Sequence, residues 1–358
     1  MVTDNLNKFG LKNYVSLIFV IILVVVSFNV PVFSPYKYSD QNLELVDIPP
    51  ILKIQKISNN YGIYVHKDLY PLLVSNKGRV LARLSKLKTI EKTDIYIFNN
   101  QELGLDCNEI EDFTNIDYSK IKLTLNNKVL SKLEQKIVWN KSNIFGTDQL
   151  GRDVFTRVFQ GIKISLIIGL VASVVNLVIG VLYGGIAGYK GGKLDDLMMG
   201  ILNVVNSIPP ILVVILLALF VPQGIYTVVL TIGAVYWVAM ARHVRAQVMV
   251  LKERDFVLAE ILMGTPRYKI IFKHIMPNAR ATILSVLIVN VQNAIFTESF
   301  LSFLGIGLPA PVASLGTLIN DSISSFRSSS YQLIIPSIAL VLIFILLDSF
   351  SFNKVSYN

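Results

Sequence analysis

Few residues of this sequence have the types to do chemistry, and most of those fail on spacing. Asp148 and Asp153 flank Arg152 in GTDQLGRDV, near enough to act as a general acid and base, but no nucleophile or metal ligand accompanies them. Turn and helix-cap chemistry accounts for them better. The three histidines, His66, His243 and His274, stand too far apart for metal-ligand spacing, and the single Cys107 cannot close a disulfide within the chain. Residues 188–196, GYKGGKLDD, are rich in glycine. No GxxxxGK[ST] follows a strand anywhere in the chain, however, so these glycines are not read as a phosphate-binding loop. There remains Glu298, which with Asn290, Gln292 and Asn293 interrupts an apolar run. A carboxylate at membrane depth is costly and faces protein or water, so Glu298 either lines a path or braces helices.

The elements that must position these residues are membrane spans. Hydrophobic residues make up 53% of the 358, and the mean hydropathy is +0.57, too apolar for a soluble protein of this length. The net charge of +9 does not require nucleic acid, because Lys and Arg are spread over loops and an aqueous segment rather than one basic face. Six spans are predicted, at about 14–32, 164–189, 196–221, 225–241, 279–304 and 331–352. Lys8 and Lys12 precede the first, and no A-x-A-like site follows it, which describes an uncleaved anchor with a cytosolic N-terminus. Lys190, Lys193 and Lys354 then place both termini in the cytosol. In the second span, Ser165, Gly169, Ser173, Gly180, Gly184 and Gly188 form a close-packing face. The third carries Asn203, Asn206, Pro209 and Pro210, a pattern for a kinked helix beside a polar cavity. With Asn293 and Glu298, the residues Asn203, Asn206 and Pro209 are the candidates for lining a polar path through the membrane.

Between the first two spans lies a polar segment, 36–143, with β-leaning runs at Tyr61–Val65, Ile95–Phe98 and Ile121–Leu125. It predicts a small, mostly β, extracytoplasmic domain between residues 1–35, with the first span, and the remainder, 144–358. Val154, Phe155, Val158, Phe159 and Ile162 make a helical stripe suited to a helix lying on the outer membrane surface before the chain turns in.

The loop from Trp237 to Asn278 is the most informative stretch. It carries Arg242, Arg245, Lys252, Arg254, Arg267, Lys269 and Lys273 against Glu253, Asp255 and Glu260, and such a loop faces the cytosol. Gly264 can close one short helix, Thr265 can cap the next, and Pro266 can stand in its first turn. The first helix, with Phe256, Val257, Ala259, Ile261, Leu262 and Met263, is too apolar to be left uncovered.

The pattern DFVxAxxxxGxxxxxIxxxHIxPN, borne by Asp255, Phe256, Val257, Ala259, Gly264, Ile270, His274, Ile275, Pro277 and Asn278, resembles the signature loop of ABC-transporter permeases, and in particular the C-type subunit of dipeptide and oligopeptide permeases. GTDxLGRDVxxRxxxGxxxSLxxG at 146–169 and ESFLSFLGIGLPAP at 298–311 resemble the same family. The family's Glu-Ala-Ala stands here as Leu258, Ala259 and Glu260, which moves the acidic residue two positions, about 200° around a helix.

The resemblance implies an all-α polytopic fold with six transmembrane helices of the ABC type I importer kind, the β domain being an insertion. It implies a permease subunit of an ATP-driven peptide importer in the bacterial inner membrane, with no enzymatic activity of its own. The implied partners are a second homologous permease subunit, two cytosolic ABC ATPases and an extracytoplasmic substrate-binding protein. No cofactor is bound by this chain, and ATP and Mg belong to the ATPases. Asp255, Phe256, Val257, Ala259, Glu260, Gly264, Thr265, Pro266, Ile270, His274 and Pro277 would form the coupling site, within loop 242–278. The alternatives are an ion-coupled secondary transporter, whose candidate ionisable groups reduce to Glu298 and Asp348, or an importer of the same family for nickel chelates or another small solute. The β domain is either a docking surface for the binding protein or a passive insertion.

Overall fold

The structure, a computed structural model, describes residues 11–90, 93–98, 101–106, 121–126, 128–130 and 134–351. Lys8, Cys107 and Lys354 lie outside the described residues. The chain forms two compact units. One takes its described residues from Met1–Phe33, Val158–Asn320 and Ser337–Asn358, and the other from Ser34–Arg157 and Asp321–Pro336.

The first unit is helical. Helix α1 (Leu11–Phe33) is followed, beyond the second unit, by α2 (Val154–Lys190), α3 (Gly192–Val205), α4 (Pro210–Phe220) and α5 (Ile225–Lys252). After α6 (Asp255–Leu262) come a single turn, α7 (Arg267–Lys269), and a π-helical stretch, Ile270–Ile275. The chain continues as α8 (Met276–Phe303), α9 (Leu315–Asp321) and α10 (Tyr331–Ser351). Among the described residues, four helical stretches, Val154–Lys190, Ile225–Lys252, Arg267–Phe303 and Tyr331–Ser349, are each long and apolar enough to cross a membrane, and α3 with α4 makes a fifth if the pair counts as one span.

Two expectations require correction. The third span is not one kinked helix: α3 and α4 meet at 73° across a break at Asn206–Pro209. The cause is consecutive prolines. Pro209 and Pro210 lack N–H donors, and Ile208, preceding Pro209, is driven out of the α region. Nor does a separate surface helix precede the second span. Val154 to Lys190 is one uninterrupted helix of 37 residues, because nothing after its N-terminus breaks the hydrogen-bond ladder. Its start is fixed as the sequence suggests: Asp153 accepts from the Thr156 amide at 2.8 Å, a cap worth about 1 kcal/mol.

The small residues of α2 do pack closely. A Cβ on Gly184 would lie 2.2 Å from the Ala241 carbonyl oxygen, and one on Gly188 2.7 Å from that of Arg245, so α2 lies directly on the α5 backbone. Ile168, Ala172, Val214, Val228, Ile232, Ala294 and Leu301 fill the core between these helices.

The second unit holds two antiparallel five-stranded sheets. The first, in order β10-β1-β2-β3-β4, comprises β1 (Ile51–Lys56), β2 (Tyr61–Val65), β3 (Pro71–Ser75), β4 (Val80–Arg83) and β10 (Gln135–Trp139). The second, in sequence order, comprises β5 (Lys86–Ile90), β6 (Thr93–Phe98), β7 (Gln101–Asp106), β8 (Lys122–Leu125) and β9 (Lys128–Val129). The three β-leaning runs correspond to β2, β6 and β8. Ile63 and Val65 of the first sheet pack with Tyr96, Phe98, Leu103, Leu105 and Leu123 of the second. The same unit includes the first turn of α2 and of α10. Tyr331 donates its hydroxyl to the carbonyls of Ile48 (3.0 Å) and Thr147 (2.6 Å), and Gln332 donates to Asp47 Oδ1 at 2.6 Å.

Candidate functional site: an outward-facing helix and a buried carboxylate

The loop between α5 and α8 is a rigid corner. Helix α6 ends in a Schellman motif: Thr265 N–H bonds the Glu260 carbonyl and Gly264 N–H that of Ile261, each at 3.0 Å, with Gly264 at φ +75°. That conformation favours glycine, and a Cβ there would meet nothing within 4 Å, so backbone conformation alone selects the residue. Thr265 does not cap the next helix as expected. Its hydroxyl donates to Glu260 Oε2 at 2.6 Å, and Pro266, expected in the first turn of the next helix, itself holds the N-cap position of α7.

The predicted coupling residues divide into two sets. Val257, fully buried, packs with Met240, Val244, Val248, Ile270 and Ile275, fastening α6 to α5 and to the start of α8. Glu260 also turns inward, with His274 Nε2 3.5 Å from its carboxylate. Its displacement by two positions thus gives it partners inside the hairpin and leaves Leu258 outward, 46% exposed. The second set faces out: Asp255, Phe256, Ala259, Gly264, Pro266 and Pro277 are exposed. Leu262, 88% exposed, and Met263, 70% exposed, stand with them, as do Ile261, Tyr268 and Phe272. Tyr268 and Phe272 were not singled out from the sequence. Their spacing of four, one helical turn, was the available signal.

Glu298 is the converse case. It is wholly buried, accepts from Ser165 Oγ (2.8 Å), Ser302 Oγ (2.9 Å) and Ser299 Oγ (3.4 Å), and so ties α2 to α8. The amide of Leu315, at the start of α9, reaches Ser165 Oγ at 3.4 Å. The other path candidates do not gather around it. Asn203 is exposed and accepts from Arg242 at 3.0 Å, while Asn206, Pro209 and Asn293 are also exposed. Among the described residues no hydrogen bond joins any two of the five. Sequence reasoning overlooked Asn176 of α2, which is buried with neither amide atom paired. A single Asn among apolar residues carried no periodic signal.

Asp148 and Asp153 have no acid/base arrangement. Asp148 is held by Arg157 and by Arg152 Nε at 2.7 Å, and both guanidinium groups also reach Asp321, at 3.2 and 3.4 Å. Asp153 caps α2 and accepts from Asn143 Nδ2 at 2.9 Å. Among the described residues no three His, Cys, Asp or Glu side chains are placed to hold a metal ion.

The sequence is similar to those of known proteins. Residues 177–355 match the family described as binding-protein-dependent transport system inner membrane component. The chain is 40% identical over 243 residues to the oligopeptide transport system permease protein OppC of Bacillus subtilis, covering 68% of this chain and 75% of that one. It is 42% identical over 224 residues to the dipeptide transport system permease protein DppC of the same organism, covering 62% and 68%. Among solved structures, the MetNI methionine ABC transporter in inward-facing conformations aligns with a TM-score of 0.43 at 18% identity, over 55% of this chain and 94% of that one. The family match, containing the whole α5–α8 loop, and the identity to a relative covered over three quarters of its length show that the chain belongs to the family of binding-protein-dependent transport system inner membrane components.

Proposed function

We propose that this permease component is one of two membrane subunits of an ATP-driven peptide importer, forming half of the translocation pathway beside a similar but distinct partner. The substrate class follows the names of the relatives, an oligopeptide and a dipeptide permease. The observation that carries the reading is the apolar outer face of α6, held on a rigid corner by Val257 and the Schellman turn. A face so built and so exposed is made to be covered.

Its occupant in this reading is a cytosolic ATPase, which holds ATP and Mg. Asp255, Phe256, Ala259, Gly264, Pro266 and Pro277 belong to the contact, together with Leu258, Leu262 and Met263. Val257, Glu260, Thr265, Ile270 and His274 keep the face in shape. Closure of two ATPase subunits pushes α6, and the rigid attachment of α6 to α5 and α8 converts the push into alternating access. Asn203, Asn206, Pro209 and Asn293, exposed on this subunit alone, are available to line a path completed by the partner. Glu298, enclosed within one subunit, acts as a brace. Helix α1, 23 residues and about 34 Å long, supplies the sixth span, and the basic loops place both termini in the cytosol. The β unit then lies outside, on the side of the substrate-binding protein.

Reconstitution into vesicles with the two ATPases and the binding protein tests this reading. Uptake of a labelled oligopeptide should require ATP. Uptake that persists without ATP and follows an ion gradient would contradict it.

A further inference from the structure

The register of the first sheet leaves part of one face without cover. Gln55 of β1 pairs with Ile63 of β2, so Ile51, Lys53 and Gln55 share the face from which Ile63 and Val65 pack on the second sheet. On the same face Ile51 pairs with Trp139 and Lys53 with Ile137 of β10, the outer strand. At this end the second sheet gives no shelter: Ile51 is 49% exposed, Trp139 53% and Ile137 69%. Ile144 adds to the patch, since its carbonyl accepts from Trp139 Nε1 at 3.1 Å while its side chain is 43% exposed. The indole N–H is therefore satisfied, and what the ring presents is apolar.

We propose that this patch is immersed in the headgroup and upper acyl region of the lipid bilayer, so that the β unit rests on the membrane instead of standing clear of it. Two observations select lipid as the occupant. The first is continuity with segments that enter the membrane. Within this unit the patch end of the sheet lies beside the starts of two membrane-crossing helices. Ile48, three residues before Ile51, accepts from Tyr331 in the first turn of α10, and Phe145, next to Ile144, packs edge-on against Phe155 of α2 at 5.0 Å between centroids. The second is composition. A tryptophan among isoleucines, with Lys53 on the same face and Lys141 two residues beyond Trp139, is the mixture that membrane interfaces select: an aromatic and apolar body with cations at headgroup level.

The chain's two tryptophans, Trp139 and Trp237, make the test direct. Trp237→Phe, made with 5-hydroxytryptophan and assembled with unlabelled partner subunits in vesicles of phosphatidylcholine with some phosphatidylglycerol, leaves position 139 as the sole emitter under excitation to the red of ordinary tryptophan. Phospholipids brominated high on the acyl chain should quench Trp139 by roughly half or more, with aqueous iodide having little effect, as for an interfacial indole. Ile137→Glu, at the most exposed position, should reduce the bromolipid quenching at least about twofold while near-ultraviolet circular dichroism remains unchanged. Strong iodide quenching with none from bromolipid would overturn the proposal. So would shielding from iodide that appears only when the binding protein is added, or only at protein concentrations where assemblies associate, since these identify a protein partner or a second copy. Transport is not a readout here, so the outcome does not depend on the peptide reading.

Discussion

Leu262 and Glu298 both sit where their chemistry is least at home, one an aliphatic side chain 88% exposed on a loop, the other a carboxylate with no exposure among membrane-crossing helices. The difference lies in what each has been given. Glu298 has three serine hydroxyls within the same subunit and lacks nothing. Leu262 and Met263 have no apolar cover, although their helix is locked in place by Val257 and by the turn at Gly264. A satisfied misfit describes internal architecture; an unsatisfied misfit on a rigid support describes a partner outside the chain.

The comparison can be broken most forcefully at Glu298. Glu298→Ala strands three buried hydroxyls and opens a cavity, and should cost about 2–4 kcal/mol. Glu298→Gln, which keeps the shape and one acceptor, should cost about 1 kcal/mol. Unfolding titrated with SDS in mixed micelles reads both. If Glu298→Ala proves as stable as the parent yet cannot transport, Glu298 belongs to the path and the comparison fails. Next is Gly264→Ala, whose added Cβ meets open space but must hold φ +75°. It should destabilise by about 1 kcal/mol, with Gly264→Asn recovering part. A loss several times larger would show that the corner supports more than its own turn.

A smaller effect separates shaping from contact. Glu260→Gln weakens the approach to His274, and for this partly exposed pair a loss of about 0.5 kcal/mol or less is expected, with ATPase capture unchanged. Capture reduced about tenfold at unaltered stability would move Glu260 into the contact surface. The mildest test uses His66, a buried polar group outside the membrane helices. Burial lowers its pKa, partly opposed by Asp68. The unfolded chain therefore binds the proton more readily. The stabilising contribution of neutral His66 is complete above about pH 6.5 and is lost as pH falls through and below that value. Thermal unfolding of the full chain across this range should show the decline, and His66→Phe should flatten it.

Much of this was legible because the decisive signals were local. Gly264, followed by Thr265 and Pro266, marked the corner whichever residue held the cap, and β2, β6 and β8 followed their own β-branched and aromatic runs. The failures came where one local rule met another. Pro209 and Pro210 within an apolar span predict a kink, but two consecutive rings with a restricted Ile208 leave no helical register to resume, so α3 and α4 part at 73°. The stripe from Val154 to Ile162 suited a surface helix, yet periodicity cannot state where a helix ends, and nothing between Val154 and Lys190 ends this one. Tertiary pairing was beyond reach: that Glu260 turns to His274 and Thr265, leaving Leu258 outward, depends on how the chain closes after Gly264.

The central claim is that the outer face of α6 is completed by an ATPase, and capture of that subunit by the affinity-tagged full chain tests it most directly. Leu262→Glu combined with Met263→Glu alters only strongly exposed side chains, so SDS unfolding should shift by no more than about 0.5 kcal/mol. Capture of the ATPase should nevertheless fall at least about tenfold, as when charge replaces the centre of an apolar contact. Undiminished capture by an equally stable double variant would contradict the account.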